Sequence, residues 1–153
     1  MSVEKPQGGP VGFQPDTLEQ ELLRRWDAER TFEKSLEQRK DAKRYSFYDG
    51  PPYATGLPHY GHLLQTTLKD TVTRYWTMRG FSVPRRVGWD CHGRPVENMV
   101  EKELGIRTKR EIEERGVEAF NAACRSAVLR HVEDWTALLR RAGRWADYAS
   151  AYK

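Results

Sequence analysis

The chain has 153 residues, 38% of them hydrophobic, which is enough for one domain with an apolar core. Its net charge of +4 comes from interspersed acidic and basic residues without a long basic block, so a mixed solvated surface is favoured over a dedicated polyanion-binding surface. The two cysteines, Cys91 and Cys124, lack Cys-x-x-Cys spacing and indicate neither a disulfide framework nor a zinc site.

The first 44 residues are predicted to form a lead-in and a helical segment. Residues 1–15 contain several glycines and prolines without periodicity, which predicts a disordered lead-in. In the helical segment, residues 16–44, Asp16 is the predicted N-cap and Glu19 takes the third helical position. The apolar face of this first helix consists of Leu18, Leu22, Leu23 and Trp26. A second short helix is predicted over residues 31–38.

A strand, a helix and a second strand are predicted next. Residues 45–48 are aromatic-rich and read as a buried strand. Residues 61–79 carry apolar side chains at helical spacing and end at Gly80. Residues 83–87 form the second predicted strand. A right-handed crossover makes the two strands parallel, so the loops that follow them meet at one edge, where open α/β sheets bind ligands.

The loop between this strand and helix has the composition of a nucleotide site. It contains glycines and prolines and ends in His59, Gly61 and His62. Backbone N–H groups at a helix start bind phosphate, glycine permits close approach, and imidazoles add donors. Two alternatives are metal ligands, although no nearby cysteine, histidine or carboxylate completes a set, and loop histidines without a function.

The last third is predicted to be helical. Pro95 suits the first position of a helix over residues 95–104, and Thr108 with Glu111 forms a capping box for the next helix. One long apolar stripe is then predicted over residues 117–142, with His131 as a packing residue on it.

Two segments carry a resemblance to a known family. Residues 49–62 read DGPPYATGLPHYGH and resemble the HIGH signature of class I aminoacyl-tRNA synthetases, in the form found in isoleucyl-tRNA synthetases. Residues 84–97 read PRRVGWDCHGRPVE and resemble the same family's block GWDTHGLPVE. The resemblance extends from about Thr17 to the last residue. It implies an α/β fold, the first half of a class I synthetase Rossmann-like nucleotide-binding fold, with short parallel strands, a crossover helix and flanking N- and C-terminal helices.

The resemblance also implies roles for residues of the signature loop. His59 and His62 would be catalytic, contacting ATP and stabilising its α-phosphate as the carboxylate of isoleucine attacks. Gly61 would let adenine pack against the backbone, and Pro52 would also contact ATP. Pro51 would help to form the isoleucine pocket. Such chemistry needs positioning and preorganised donors rather than a protein nucleophile.

The second block would complete the amino-acid site. The resemblance implies that Asp90 accepts hydrogen bonds from the α-ammonium group of isoleucine, while a turn or helix-cap role is the alternative. The block departs from the family at Cys91, where threonine is common, and at Arg94, where leucine is common. Arg85, together with the arginine after it, is expected either to approach tRNA or ATP or to form surface salt bridges.

The chain is far shorter than a complete synthetase of this family. Residues 45–105 would be the HIGH-signature half of the catalytic domain, and residues 106–153 a helical segment leading to downstream domains. The complete enzyme would use ATP, with Mg²⁺ bound through ATP and no protein metal site in this chain, and would charge tRNA(Ile) through regions mostly outside it.

We expect such an enzyme to be cytoplasmic, because no apolar run is long enough for a bilayer and no signal-peptide core follows Met1. The complete enzyme is expected to be a monomer. The fragment alone is expected to be inactive, and its two-stranded sheet is expected to make it self-associate. The alternatives are a stand-alone non-catalytic module that binds a nucleotide or a partner, and another His-x-Gly-His nucleotidyltransferase.

Overall fold

A computed structural model describes residues 12–153. The chain divides into two compact units, Met1–Thr31 and Phe32–Lys153. Most of the predicted lead-in lies outside the described residues. The helices are α1 (Pro15–Glu29), α2 (Thr31–Glu37), α3 (Tyr60–Met78), α4 (Arg94–Leu104), α5 (Lys109–Arg115), α6 (Val117–Val128) and α7 (Val132–Arg141). The strands are β1 (Arg86–Gly88) and β2 (Asp147–Tyr152).

Helix α1 begins before the predicted N-cap. Gln14 is the N-cap and Pro15 lies in the first turn, because the fixed φ of proline suits a position whose N–H would be unpaired anyway. The N-cap prediction for Asp16 is therefore wrong. Asp16 lies inside the first turn, and its carboxylate accepts a hydrogen bond from the Gln20 side chain at 2.8 Å. Helix α2 agrees with the prediction for residues 31–38.

The strand predicted for residues 45–48 is wrong. Tyr48 is 95% exposed, and the segment joins its neighbour only through isolated parallel bridges, Arg44 with Ser82 and Tyr53 with Asp90. Prolines at positions 51, 52 and 84 supply no N–H donors, so they weaken pairing between the two bridges. The parallel direction of the two segments is as predicted.

The observed sheet pairs β1 with β2. These strands are parallel, with Arg86 opposite Asp147 and Gly88 opposite Tyr152, and the register shifts between the two pairs. Strand β1 is shorter than the strand predicted over residues 83–87 and begins after Pro84. Strand β2 also contradicts the helical description of residues 106–153, whose last residues are extended.

Helix α3 turns a polar face inward. Thr66, Thr73 and Thr77 are buried, whereas the predicted apolar stripe lies outside except for Trp76, which packs on Tyr45. The Thr77 hydroxyl donates to the Thr73 carbonyl at 2.8 Å, and such back-bonding satisfies a buried threonine. The exposed stripe consists of Leu64, Leu68, Val72 and Tyr75, which are 62%, 60%, 39% and 47% exposed.

The exposed stripe of α3 should drive self-association of the chain, since contiguous apolar patches favour contacts between molecules. Replacing Leu64 and Leu68 together by lysine should shift sedimentation velocity profiles from oligomers to monomer. The Tm should stay within the experimental error, because both side chains are already exposed. Thr71→Lys, at another exposed position of the same helix, is the control for added charge. A wild-type chain that is monomeric at high concentration would contradict this prediction.

Arg85 explains the polar inner face of α3. It is 9% exposed, and its guanidinium donates to the Thr73 carbonyl at 2.9 Å and to the Thr77 hydroxyl. Aromatic rings of Phe32 and Trp145 lie 5.7 and 5.9 Å from the guanidinium carbon. Burial lowers the pKa of Arg85 to about 10, so it remains a cation at neutral pH. The expectation of a surface salt bridge is therefore wrong for this residue.

The stripe predicted over residues 117–142 belongs to two helices rather than one. The chain breaks between α6 and α7, where the His131 N–H donates to the Ala54 carbonyl at 3.1 Å. His131 is the N-cap residue of α7 and its ring pairs with Asp134 at 2.9 Å, so it is not a packing residue of a continuous helix. The break allows the start of α7 to hydrogen-bond with the signature loop.

The predicted starts of α5 and α4 are close to the observed ones. Thr108 caps α5 by accepting from the Glu111 N–H at 3.4 Å, as the capping box predicts, although the Glu111 carboxylate bonds back to the N–H of Arg107. Helix α4 begins at Arg94, so Pro95 is its second residue rather than its first.

Two apolar clusters stabilise the fold. One joins β1, the signature loop and α7, and the other joins α4 to α6. The first contains Ala54, Val87, Trp89, Trp135, Leu139 and Ala146. The second contains Val100, Phe120 and Ala127. The first cluster places the loop before α3 directly against the sheet and α7.

Candidate functional site

His59 and His62 cap the start of α3. His59 has extended backbone angles, φ −132° and ψ 175°, and its Nδ1 accepts the Gly61 N–H at 3.1 Å. The Nδ1 of His62 accepts the His59 N–H, also at 3.1 Å. Together these bonds form a reciprocal cap of the kind that usually involves serine or threonine with glutamate. The two imidazole rings stack with their centroids 3.7 Å apart.

These caps determine the tautomer of both histidines. A ring nitrogen that accepts a hydrogen bond cannot carry a proton, so each neutral imidazole must carry its proton on Nε2. His59 and His62 therefore each keep one N–H donor for a ligand. The donors belong to residues at the start of a 19-residue helix, where the helix dipole favours a negative group.

His62 should titrate below the ordinary histidine value. Burial lowers its pKa, and the neighbouring His59 lowers it further. The unfolded chain then takes up a proton near pH 6.5 while the folded chain does not. Stability should thus fall as the pH drops below about 6.5, until the folded pKa is passed. An NMR titration of His62, with urea unfolding at pH 7.5 and 5.5, measures both effects. A His62 midpoint at or above 6.5 would refute the prediction.

The signature loop makes three hydrogen bonds to two other parts of the chain. The Pro52 carbonyl accepts the Asp90 N–H at 2.9 Å, the Ala54 carbonyl accepts from the start of α7, and the Gly56 carbonyl accepts the Trp135 indole N–H at 2.8 Å. Ala54 is fully buried. The loop is therefore fixed by tertiary bonds in addition to its own prolines.

Asp49 anchors the beginning of the loop. Its carboxylate binds Lys69 on α3 at 2.5 Å and Arg144, which lies between α7 and β2. The Asp49 side chain is 16% exposed and that of Arg144 14%. This pair of contacts ties the loop to the helix that follows it and to the segment that leads into the second strand.

Asp90 lies in the second loop, which connects β1 to α4, and joins it to the signature loop. Its Oδ1 accepts the His92 N–H at 3.3 Å, which is the turn role considered as the alternative. A hydrogen bond with the Asp90 carboxylate also raises the pKa of Tyr53, and Tyr53 and Asp90 form a parallel bridge. The structure therefore brings Asp90 to the signature loop through Tyr53.

The two departures from the family motif do not disturb this arrangement. The Cys91 thiol donates to the Trp89 carbonyl at 3.4 Å, and burial raises the pKa of the Cys91 thiol, which disfavours a reactive thiolate. Arg94 is exposed, as expected. Cys91 thus behaves as a protonated packing group beside Asp90.

A cavity of about 260 Å³ lies beneath the loop. Three of the predicted site residues, Pro51, Pro52 and His62, line it. The remaining lining residues are Asp49, Gly50, Tyr53, Gln65, Thr66, Lys69, Val87, Gly88, Trp135, Leu139 and Arg144. His59, Gly61 and Asp90 are not among the lining residues, so the predicted set is divided between the cavity, the helix start and the second loop.

Some residues that shape the site had not been singled out. Tyr53, Lys69, Trp135 and Arg144 each contact the loop or line the cavity. Tyr53 lies within the motif itself, which is a usable signal. Trp135 carries no such signal, because nothing in the local sequence connects it to a loop 79 residues away.

Among the described residues, no cluster of three or more histidine, cysteine, aspartate or glutamate side chains could hold a metal ion. None of the described helices combines the length and apolar character needed to cross a membrane.

Comparisons with known proteins connect this geometry to a family. A family model described as tRNA synthetases class I (I, L, M and V) matches residues 21–153. The isoleucine–tRNA ligase of Treponema pallidum (strain Nichols) is 53% identical over 146 residues, covering 94% of this chain and 13% of that protein. Isoleucine–tRNA ligase 2 of Pseudomonas fluorescens is 54% identical over 145 residues, covering 95% and 14%.

The fold has a counterpart among solved structures. The LeuRS of Agrobacterium radiobacter K84, in a ternary complex with tRNA and LeuAMS, superposes with a TM-score of 0.63 at 22% identity. The match covers 91% of this chain and 16% of that one. The chain therefore spans about one seventh of the length of the relatives it matches.

Proposed function

We propose, from the premise that the chain belongs to the class I tRNA synthetases, that it is the signature-bearing part of an isoleucine–tRNA ligase. The observation that carries the proposal is the reciprocal histidine cap of α3. It leaves an N–H donor on each of His59 and His62 at a helix start. The names of the relatives, at more than 50% identity, support the ligase over a non-catalytic module.

The proposed reaction joins isoleucine to the α-phosphorus of ATP. A carboxylate oxygen forms the new bond, the bond from the α-phosphorus to the bridging oxygen breaks, and pyrophosphate leaves. Negative charge grows on the phosphorus oxygens during this exchange. The Nε2–H groups of His59 and His62 stabilise that charge, and since the capping bonds hold both rings before ATP arrives, little reorganisation is needed.

We place ATP and isoleucine against the signature loop and the loop that contains Asp90. ATP lies against Pro52 and the start of α3, where Gly61 has no side chain to obstruct adenine. Isoleucine occupies the side near Pro51, with its ammonium group at the Asp90 carboxylate. The parallel bridge between Tyr53 and Asp90 supports this role, because it keeps a carboxylate at the edge of the signature loop. Asp90 then contributes both a turn bond and a substrate bond.

Mg²⁺ and tRNA(Ile) complete the proposal. Mg²⁺ retains much of its hydration and would bind through the phosphates of ATP. It would neutralise charge on the leaving pyrophosphate. The tRNA binds mostly to parts of the enzyme outside this chain. We place the whole enzyme in the cytoplasm as a monomer.

ATP–pyrophosphate exchange across a panel of amino acids tests the proposed activity. A protein that contains this chain together with the rest of its catalytic domain should exchange with isoleucine faster than with any other amino acid. The 153-residue chain alone should show no amino-acid-dependent exchange. Preference for another amino acid in the longer protein would refute the isoleucine assignment. Isoleucine-dependent exchange by the short chain would refute its inactivity.

A further inference from the structure

The signature loop and α7 are connected by two hydrogen bonds that are one helical turn apart. The His131 N–H donates to the Ala54 carbonyl at 3.1 Å, and the Trp135 indole N–H donates to the Gly56 carbonyl at 2.8 Å. Trp135 is 3% exposed, so its N–H has no access to bulk water as an alternative partner. A buried indole N–H that lost this acceptor would be left unpaired.

The Trp135 ring also contacts one of the histidines. Its centroid lies 4.5 Å from that of His62, at an interplanar angle of 56°. The ring torsion of a histidine is broad and needs neighbours to fix it. Besides its Nδ1 bond to the His59 N–H, which fixes one edge of the ring, His62 has two ring neighbours, the stacked ring of His59 at 3.7 Å and the indole of Trp135. The indole therefore restricts the directions in which Nε2–H of His62 points.

We propose that Trp135 is a positioning residue for the signature site. Its N–H holds the loop at Gly56, and its ring sets the orientation of the His62 imidazole. One rigid side chain thus fixes the loop and a phosphate-binding donor relative to each other. The identity of the ligand rests on the proposed function, but the contact between the Trp135 and His62 rings does not.

The competing explanation is that Trp135 only fills the core. It belongs to the cluster with Val87 and Leu139, and its ring lies edge-on to Trp89 at 6.4 Å. A core-filling residue would change the stability of the protein when replaced, but it would not change the ring orientation of His62 in a variant that still folds. The two explanations therefore separate on a measurement at His62.

Trp135→Phe is the informative variant, since it keeps an aromatic ring and removes the N–H. Trp76→Phe is the matched control, because Trp76 stacks on Tyr45 at 4.7 Å and packs against Phe81 at 4.9 Å. The nitrogen NMR shifts of the His62 imidazole report its tautomer and its Nδ1 hydrogen bond, and the loss of a neighbouring ring current alone moves them little. In the 153-residue chain, these nitrogen shifts should change in Trp135→Phe and stay unchanged in Trp76→Phe. Unchanged His62 nitrogen shifts in a folded Trp135→Phe would overturn the proposal.

A titration of the wild-type chain gives an independent decision if Trp135→Phe does not fold. The indole N–H signal of Trp135 should move with the same midpoint as the His62 ring, because the two rings are in contact. An indole signal that ignores the titration of His62 would overturn the proposal.

ATP titration then separates the positioning role from the proposed function. If the wild-type chain binds ATP, the dissociation constant should rise about tenfold in Trp135→Phe. This is the loss expected when a misoriented His62 no longer donates its hydrogen bond to ATP. The dissociation constant should not change in Trp76→Phe. An equal effect in both variants would contradict positioning. Absence of ATP binding by the wild type would count against nucleotide binding by this chain, while the NMR result would still decide the role of Trp135.

Discussion

Replacing His62 by alanine, in a protein that carries the whole catalytic domain, should lower the rate of isoleucine-dependent ATP–pyrophosphate exchange about 100- to 1000-fold. This is the range for losing one preorganised donor to a developing oxyanion. The substitution removes the Nε2–H and also the Nδ1 that accepts the His59 N–H at 3.1 Å. The effect should appear at saturating ATP and isoleucine, since the donor acts most strongly on the charge that develops during the reaction.

Two isosteric variants separate these functions of His62. Asparagine places an oxygen close to the position of Nδ1, so His62→Asn preserves the cap of α3 but has no donor at Nε2. Glutamine places its amide near Nε2, so His62→Gln preserves a donor and weakens the cap. If the donor is what matters, His62→Gln should be the more active of the two. Full activity in His62→Asn would refute the catalytic role and leave His62 as a capping residue.

The sequence predicts most local elements of the fold, but it does not predict which elements pack against one another. Apolar spacing predicts α3 correctly as a helix, yet its stripe of Leu64 and Leu68 lies outside. Threonines face inward there because they hold the buried Arg85. Apolar periodicity predicts that a helix has an apolar face, but it does not predict which face the rest of the chain covers.

Strand β2 was missed for a related reason. Its six residues, DYASAY, have no run of β-branched side chains, and the strand exists because β1 supplies a parallel partner more than fifty residues earlier in the chain. The break between α6 and α7 likewise follows from the bond between His131 and Ala54. Tertiary context determines both features, so no local pattern predicts them.

The α/β class I synthetase fold is nevertheless confirmed by the family match and by the LeuRS superposition. The motif identified it because fold and signature are inherited together.

The site residues also divide into those that the sequence predicts and those that it does not. His59 and His62 could be chosen from the motif, because a glycine-rich loop and the helix start that follows it define a phosphate site locally. Trp135 and Arg144 reach that site across 79 and 95 positions of the chain, and only the folded structure joins them.

The second large effect is expected for stability, at Asp49. Replacing Asp49 by alanine should lower the free energy of unfolding by about 3 kcal/mol, the scale for removing one partner from a buried ion pair. The carboxylate is 16% exposed and faces Lys69 and Arg144, which are 30% and 14% exposed. Without this carboxylate, Lys69 and Arg144 lose the anion that they share beneath the loop. Urea unfolding at pH 7.5 measures the loss.

An exposed ion pair provides the control for Asp49. Glu103 binds Arg130 through two hydrogen bonds, at 2.6 and 3.0 Å, but the two side chains are 43% and 46% exposed. Its geometry is good, yet water screens the pair and solvates either partner when the other is removed. Glu103→Ala should therefore change the unfolding midpoint by far less than Asp49→Ala. Equal losses for the two variants would mean that burial does not strengthen the Asp49 contacts, and that the loop before α3 is held mainly by its bonds to Asp90, His131 and Trp135.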